Sequence, residues 1–464
     1  MLEGLEATEV RFLSLKSIID YRIEAEYFLK KFLENEAILE AISCIPFVKC
    51  FIFQNGRPYN SEAFGAFKGN EYVSVAKIGD VTNKRDRDLW ELIPYEEFIL
   101  QKGAPLKYGD ILMTLTGDPP DVGKVHFCYE TMENATWNQR VAKININNKE
   151  YISNPEYGYV LLSSDYCRCQ LERYAKGIRQ RNLGNEGLNK MLLPQLSKGL
   201  QEEVQQVVKA GFKKYSEFKE IYSSAENYLL ECLGMQDFAA NPDAYNIKTL
   251  KESFLESGRI DAEYYLPKYE DYVKAVSAYA GGVAPLGEVC SIKDSNYTPE
   301  HGMKYRYVEL ANIGKSGDIT GCTYENGEDL PTRARRIVTQ GDVIVSSIEG
   351  SLSSCALITE DYDNALCSTG FYVVRSAQIN SETLLTLFKS FSIQQLLKKG
   401  CSGTILTGIG KQEFENIPIP LIRPEVQKEI AQHVRQSFAL RKEASQLLEE
   451  AKLSVEHVIE MWGG

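Results

Sequence analysis

The residues best suited to chemistry in this 464-residue chain are clustered cations and amides rather than a catalytic constellation. Lys176, Arg179, Gln180, Arg181 and Asn182 crowd into the seven-residue stretch KGIRQRN. Arg pairs bidentately with guanine, Asn and Gln with adenine, and Lys, Arg, Ser and Thr hold phosphate, so this mixture suits contact with nucleic acid. Arg168, Arg173 and Lys190 extend the cluster, against Glu172 and Glu186. The competing reading is a solvated helix end whose cations complement the helix dipole. Lys77, Asn83, Lys84, Arg85 and Arg87 form a second group in KIGDVTNKRDRD, where interleaved Asp residues make surface ion pairing an equal reading. In the second half, Arg333, Arg335 and Arg336 in LPTRARRIV are the densest positive group. Lys304 and Arg306 flank Tyr305 in KYRY, which suits either a backbone grip or a strand with its tyrosine in the core; the strand is preferred.

Signals for catalysis or metal are weak. An adenine methyltransferase needs a cofactor loop and an Asp/Asn-Pro-Pro-aromatic tetrapeptide. Asp118-Pro119-Pro120-Asp121 ends in an acid, and no Gly-rich loop follows a first strand, so a turn is the better reading. There is no phosphate-binding GxxxxGK[ST] loop, no HExxH and no GxSxG. Eleven Cys include no CxxC, and only four His are present. Cys167-x-Cys169 lacks a second pair at zinc spacing, so reduced thiols in a cytoplasmic protein are expected, with no metal and no cofactor. No apolar run approaches the length of a membrane span, and the N-terminus lacks a secretion signal. The net charge of −12 argues against a surface coated in positive charge but leaves room for a local basic groove.

What would position these groups is a pair of long helices. From Val204, alternate steps of four and three residues reach Val208, Gly211, Tyr215, Phe218, Tyr222, Ala225, Leu229 and Cys232, all apolar, small or aromatic. That spacing predicts one apolar seam on a helix about 40 Å or more long. The final segment repeats it at Ile430, Val434, Ser437, Arg441, Ala444, Leu448, Ala451, Val455 and Val458, a constant offset of 226.

The rest of the chain echoes itself too. RIEAEYF (22–28) matches RIDAEYY (259–265), each beginning a helical stretch. Short β-branched runs broken by Gly, Pro, Asn and Asp follow in both halves, and YGDILMTLTG (108–117) aligns with QGDVIVSSIEG (340–350). A single helix is expected over 159–177 and another over 384–400, each closing on Gly. Irregular segments, 177–196 and 400–422, lead into the two long helices. The polar, Pro-containing 234–246 reads as a linker.

This order of parts resembles the specificity (S) subunit of type I restriction–modification systems, over nearly the whole length. Its most specific stretch is Gly400 to Ala431: a Gly-x-Ser-Gly-Thr turn, then IPIPLIRPEVQ, then Lys-Glu-Ile-Ala. Where that family usually has Pro-Pro-Leu and Glu-Gln, this chain has Pro420-Leu421 and Val426-Gln427, and its first half diverges further, with LLPQLSKGLQEEV. The resemblance implies an α+β chain with two strand-rich target recognition domains. Two long helices would separate and hold them as an antiparallel coiled coil, in an internal duplication with pseudo-twofold symmetry. The implied layout is a first recognition domain over 1–196, a first helix over 197–234, a linker over 235–252, a second domain over 253–422 and a second helix over 423–464. It adds Ser402 and Thr404, in the matching turn, as phosphate contacts or structural turn residues. It further implies double-stranded DNA with a bipartite target, methyltransferase subunits (two copies) and restriction/translocase subunits as partners, and no catalysis in this chain. The specificity component of another methylation-based phage-defence system would look alike. A duplicated coiled-coil scaffold that never touches DNA is the rival from a different class.

Overall fold

Gly109 and Gly341 turn the chain at φ of 85° and 86°, a backbone that L side chains rarely adopt. The next residue in each case is a buried aspartate whose carboxylate closes the turn. Asp110 accepts from the Lys107 N–H at 2.9 Å and Asp342 from the Thr339 N–H at 2.8 Å. Each then feeds the most buried strand of its sheet. Lys143 (3.4 Å) balances Asp110, while Lys293 (2.7 Å) and Arg375 (2.8 Å) balance Asp342.

These turns belong to a computed structural model that describes residues 25–463, apart from 66–70, 85–86, 119–120, 131, 133, 178–179 and 404–406. Arg85, Arg179 and Thr404, together with Arg22, Ile23 and Glu24 of the first RIEAEYF copy, therefore lie outside the described residues. The chain forms two compact α+β units: Met1–Tyr215 with Lys442–Gly464, and Ser216–Arg441.

In the first unit the strands of the two larger sheets are β1 (Phe51–Asn55), β2 (Tyr72–Ala76), β3 (Glu91–Pro94), β4 (Ile111–Thr114), β5 (Val125–Phe127), β6 (Ala135–Trp137) and β7 (Val141–Ile146). The main sheet is antiparallel in the order β1-β7-β4-β5. A smaller sheet, β3-β2-β6, runs β2 parallel to β6. Strand β4 is buried throughout because both its faces are covered. Ile111 and Met113 join one cluster and Leu112 another, the arrangement that removes polar alternation from a strand. Helix α1 (Lys30–Ala41) packs on α3 (Asp165–Tyr174), which follows α2 (Pro155–Ser163).

The single helix expected over 159–177 is in fact α2 and α3, broken at Ser164. Its backbone is extended (φ −62°, ψ 151°), and its hydroxyl accepts from the Cys167 N–H as an N-cap. Periodicity runs through both helices and hides the break.

The long helices are Lys198–Leu233 and Pro424–Gly463. Within the first unit, Val204 and Val208 of the first share a core with Ala451, Val455 and Ile459 of the second. Each fully buried Val or Ile there contributes about 1.5–3 kcal/mol. A Cβ on Gly211 would stand 3.3 Å from Leu448, and Lys214 pairs with Glu443, so the two segments run antiparallel. Tyr215 and Leu448 are half-buried, with the Tyr215 ring edge-on to Tyr129 at 5.6 Å.

The second unit contains β8 (Cys290–Lys293), β9 (Lys304–Val308), β10 (Thr323–Asn326), β11 (Ala334–Ile337), β12 (Val343–Ser346), β13 (Cys355–Leu357), β14 (Leu366–Ser368) and β15 (Phe371–Ser376). Its main sheet has the order β8-β15-β12-β13, again antiparallel and again first, last, second, third along the chain. The smaller sheet, β10-β9-β14-β11, pairs β9 parallel to β14. Helix α4 (Pro267–Ser277) packs on α6 (Phe391–Gly400). The helix expected over 384–400 is likewise broken, at Ser390, into α5 (Ser381–Lys389) and α6. Here the long helices supply Phe218, Tyr222, Leu229, Ile430 and Val434, all buried. The seam position Arg441 carries a charge because Asp318, 5% exposed, lies 2.8 Å away.

Candidate nucleic-acid interface

Antiparallel pairing brings four strand ends of the first main sheet to one edge: the ends of β1 and β4 and the starts of β5 and β7. Three connections meet there. The Gln139 N–H donates to the Arg57 carbonyl (3.1 Å) and the Gly56 N–H to the Val141 carbonyl (3.1 Å), which clamps residues 56–57 onto the turn 138–140. A Cβ on Gly56 would collide with the Asn138 carbonyl oxygen, so only glycine permits that approach. The Leu115 N–H donates to the Arg140 carbonyl at 2.9 Å, adding the segment 115–118. Thr116–Gly117 then pairs with Arg181–Asn182, and Lys176 bridges Asn182. The described ends of KGIRQRN, Lys176 and Arg181–Asn182, are therefore paired at this edge. The Asp121 N–H donates to the Asp118 carbonyl here at 2.6 Å.

Many of the candidate charges have protein partners. Arg181 pairs with Glu26, and Lys176 with Glu186 at 3.1 Å. Lys77 lies 2.6 Å from Glu91 and 3.5 Å over the Phe64 ring. Arg87 sits 3.4 Å from Asp88, and the Asn83 amide donates to the Gly79 carbonyl at 2.9 Å. Lys84 turns toward α2 and the second long helix, where Tyr159 and then Glu449 raise its pKa. Arg173 is buried against Glu36 and the Tyr27 carbonyl, both at 3.0 Å. Arg168 donates to the Val122 carbonyl at 3.1 Å, and burial lowers its pKa. Gln180 and Asn182 are exposed, the Asn182 amide turned toward the Gln180 carbonyl at 3.5 Å.

Arg57, Gln139 and Arg140 behave differently. All three are exposed, and no side-chain hydrogen bond or ion pair with any described residue holds them. None belongs to a group singled out from the sequence. The available signal was WNQR, an Asn-Gln-Arg run directly after a strand.

The corresponding edge of the second unit collects Arg333, Arg335 and Ser402. The Thr369 N–H donates to the Arg333 carbonyl (2.9 Å), and the Ser347 N–H to the Gly370 carbonyl (2.9 Å). Cys401–Ser402 pairs with Gly408–Ile409, and Gly408 bridges Ile348. Ser402 and Arg333 are exposed, and the Arg333 guanidinium has no partner among the described residues. Arg335 is tied to the Thr332 carbonyl (3.1 Å) and the Thr298 hydroxyl (3.3 Å). Arg336 is half-buried with two guanidinium nitrogens lacking a hydrogen bond. Arg306 stands exposed on β9, opposite Tyr324 of β10, while Tyr305 and Tyr307 point into the core. Acids hold down other cations near this edge. Lys411 pairs with Asp294 and keeps that carboxyl below its usual range.

The RIDAEYY repeat braces the paired segments Cys401–Ser402 and Gly408–Ile409. Arg259 forks onto Asp261 (2.8 and 2.7 Å), donates to the carbonyls of Gly400 (3.3 Å) and Cys401 (2.8 Å), and lies 4.4 Å over the Tyr264 ring. Among the described residues no group of His, Cys, Asp and Glu could hold a metal ion, and no helix is long and apolar enough to cross a membrane. Cys167 is buried, which pushes its thiol up to about 12.

Residues 282–451 match the family model of the type I restriction modification DNA specificity domain. Among solved structures, the chain is similar to a type I restriction-modification system S subunit from M. genitalium (13% identity, 91% of this chain and 94% of that one, TM-score 0.35). It is also similar to a structure titled for complex assembly and conformational transition of the type I R-M system (14%, 91% and 97%, TM-score 0.29). A third is the HsdS subunit from Thermoanaerobacter tengcongensis (15%, 89% and 95%, TM-score 0.28). No curated protein matches the chain.

Proposed function

We propose that this chain, similar to the specificity subunits of type I restriction–modification systems and matching their DNA specificity domain over residues 282–451, reads a bipartite DNA target and directs a methyltransferase–restriction complex to it. The observation that carries the reading is that the same edge of the same sheet is built twice. Each copy presents guanidinium groups without a partner among the described residues, Arg57 and Arg140 in one and Arg333 in the other, on a protein whose net charge is −12. Isolated cations on an acidic protein suit a polyanion that docks in one orientation and is repelled elsewhere.

A split target needs two readers at a fixed separation. A helix of 36 residues is about 54 Å long, more than one turn of DNA at about 34 Å. The chain itself performs no chemistry. Two methyltransferase subunits and the restriction/translocase subunits would supply it, in the cytoplasm. The test is methyl transfer to plasmid DNA by the methyltransferase encoded beside this gene, with and without the chain. Transfer that requires the chain and falls steeply with salt supports the reading. Transfer indifferent to it supports the scaffold alternative.

A further inference from the structure

We infer that the turn Asn138–Arg140, together with Arg57, is the specificity-determining contact of the first unit, with Gln139 and Arg140 meeting base edges. The inference rests on the DNA-reading function proposed above and names residues within it. Three observations carry it.

The turn is rigid. Trp137, 2% exposed, anchors it through an indole N–H bond to the Gln54 carbonyl at 3.2 Å. The Asn138 side chain accepts from the Arg140 N–H at 3.0 Å, and the Val141 N–H donates to the Asn138 carbonyl at 3.1 Å. The Arg57 backbone is bridged to Asn138. A side chain leaving such a frame loses little backbone freedom on binding, which favours a selective contact.

The side chains are uncommitted. Cations around them are neutralised, Lys77 by Glu91, Arg181 by Glu26 and Lys124 by Asp121 at 2.7 Å. Arg57 and Arg140 carry no such partner among the described residues. Releasing a paired cation costs the ion pair, so the unpaired ones are the ready ligands for a new anion or acceptor.

The chemistry is of the reading kind. Arg offers a fork to the O6 and N7 of guanine, and Gln offers a donor and an acceptor to the N7 and N6 of adenine. Lysine, the point-charge contact to phosphate, is absent from the turn.

The experiment maps methylated bases in cells that make the full-length chain, or its Arg57→Gln, Gln139→Ala or Arg140→Gln variants, with the neighbouring methyltransferase. Expected is a relaxed or altered base preference in one half of the motif, about 5- to 150-fold at the affected position, with the other half and the spacer intact. An unchanged motif in all three variants overturns the inference while the DNA-reading function stands. So does a uniform loss of methylation with base preference retained, which marks phosphate contacts. Parent chain that directs no methylation at all overturns the function itself. A variant that methylates nothing is resolved by its retention of the methyltransferase on co-purification. If it is retained, binding to duplexes altered in one half-motif decides the matter: lost discrimination supports the inference and kept discrimination overturns it. If it is not retained, the residue holds the fold and the inference falls.

Discussion

Gln201 and Gln427, 226 positions apart, make the same bonds. The Gln201 carboxamide oxygen accepts from the Ser153 N–H (2.9 Å), and its nitrogen donates to the carbonyls of Tyr151 (3.0 Å) and Leu196 (3.1 Å). Gln427 accepts from the Asn380 N–H (2.8 Å) and donates to the carbonyls of Gln378 (3.0 Å) and Ile422 (2.8 Å). The backbone carbonyl of each glutamine accepts from the asparagine that N-caps the following helix, Asn154 at 3.2 Å and Asn380 at 3.1 Å. Each amide therefore ties the first turn of a long helix to the segment that opens α2 or α5.

Truncating either glutamine to Ala strands buried carbonyl and N–H groups, each costing about 1–3 kcal/mol. Gln201→Ala and Gln427→Ala are each expected to lower stability by roughly 2–4 kcal/mol. Urea unfolding of the full-length chain checks this. A loss below about 0.5 kcal/mol, the range of an ordinary surface change, would show the bonds to be incidental.

Gly211 leaves room for Leu448 and the Ala444 carbonyl, at 3.3 and 3.4 Å from where its Cβ would stand. Gly211→Ile inserts a branched side chain there and should destabilise by about 1–3 kcal/mol, despite the better helix propensity of Ile. Thermal unfolding gives the sign, and a gain would mean that the helices can separate without cost.

Asp318 is buried beside Arg441. Removing Arg441 alone takes away the cation nearest that carboxylate among the described residues, though Lys389 still interacts with it. Arg441→Met is expected to cost about 3 kcal/mol, and Asp318→Asn in the same chain to recover much of it. A double-mutant cycle reads the coupling; strict additivity would contradict a paired charge.

Burial holds the Glu226 carboxyl above its ordinary 4.5, opposed by Lys389 and Lys315. The unfolded chain then ionises first as pH rises, so the group costs stability above pH 4.5 and nothing well below it. Glu226→Gln should be more stable than the parent at pH 7, with the advantage shrinking as pH falls through 4.5. An equal advantage at pH 4 and pH 7 in urea melts would contradict the assignment.

Arg333, exposed and without a partner among the described residues, is expected to hold phosphate. Arg333→Gln should reduce the slope of log K against log salt by about 1. Binding isotherms of the chain–methyltransferase complex at several salt concentrations measure it, and an unchanged slope would remove Arg333 from the interface.

The long helices were the most legible part of the sequence, because a seam such as Val204, Val208, Phe218, Tyr222 declares itself by spacing alone. Breaks at Ser164 and Ser390 were not, since the helices on either side keep their apolar faces and only the serine cap marks the interruption. The partner of Arg181, Glu26, lies 155 residues away in sequence, so local charge does not reveal the pair. Arg57 and Arg140 carry the converse lesson. Neither sits in a cluster, and only the pairing of β1 with β7 brings them together. Sequence reports local charge density, whereas the availability of a charge depends on long-range partners.

The measurement that tests the two-reader account most directly is single-base mapping of methylation directed by the unaltered chain and its neighbouring methyltransferase. The account predicts one motif in two parts, separated by a spacer of constant length and arbitrary sequence. A contiguous motif, or the same methylation in cells lacking the chain, would contradict it.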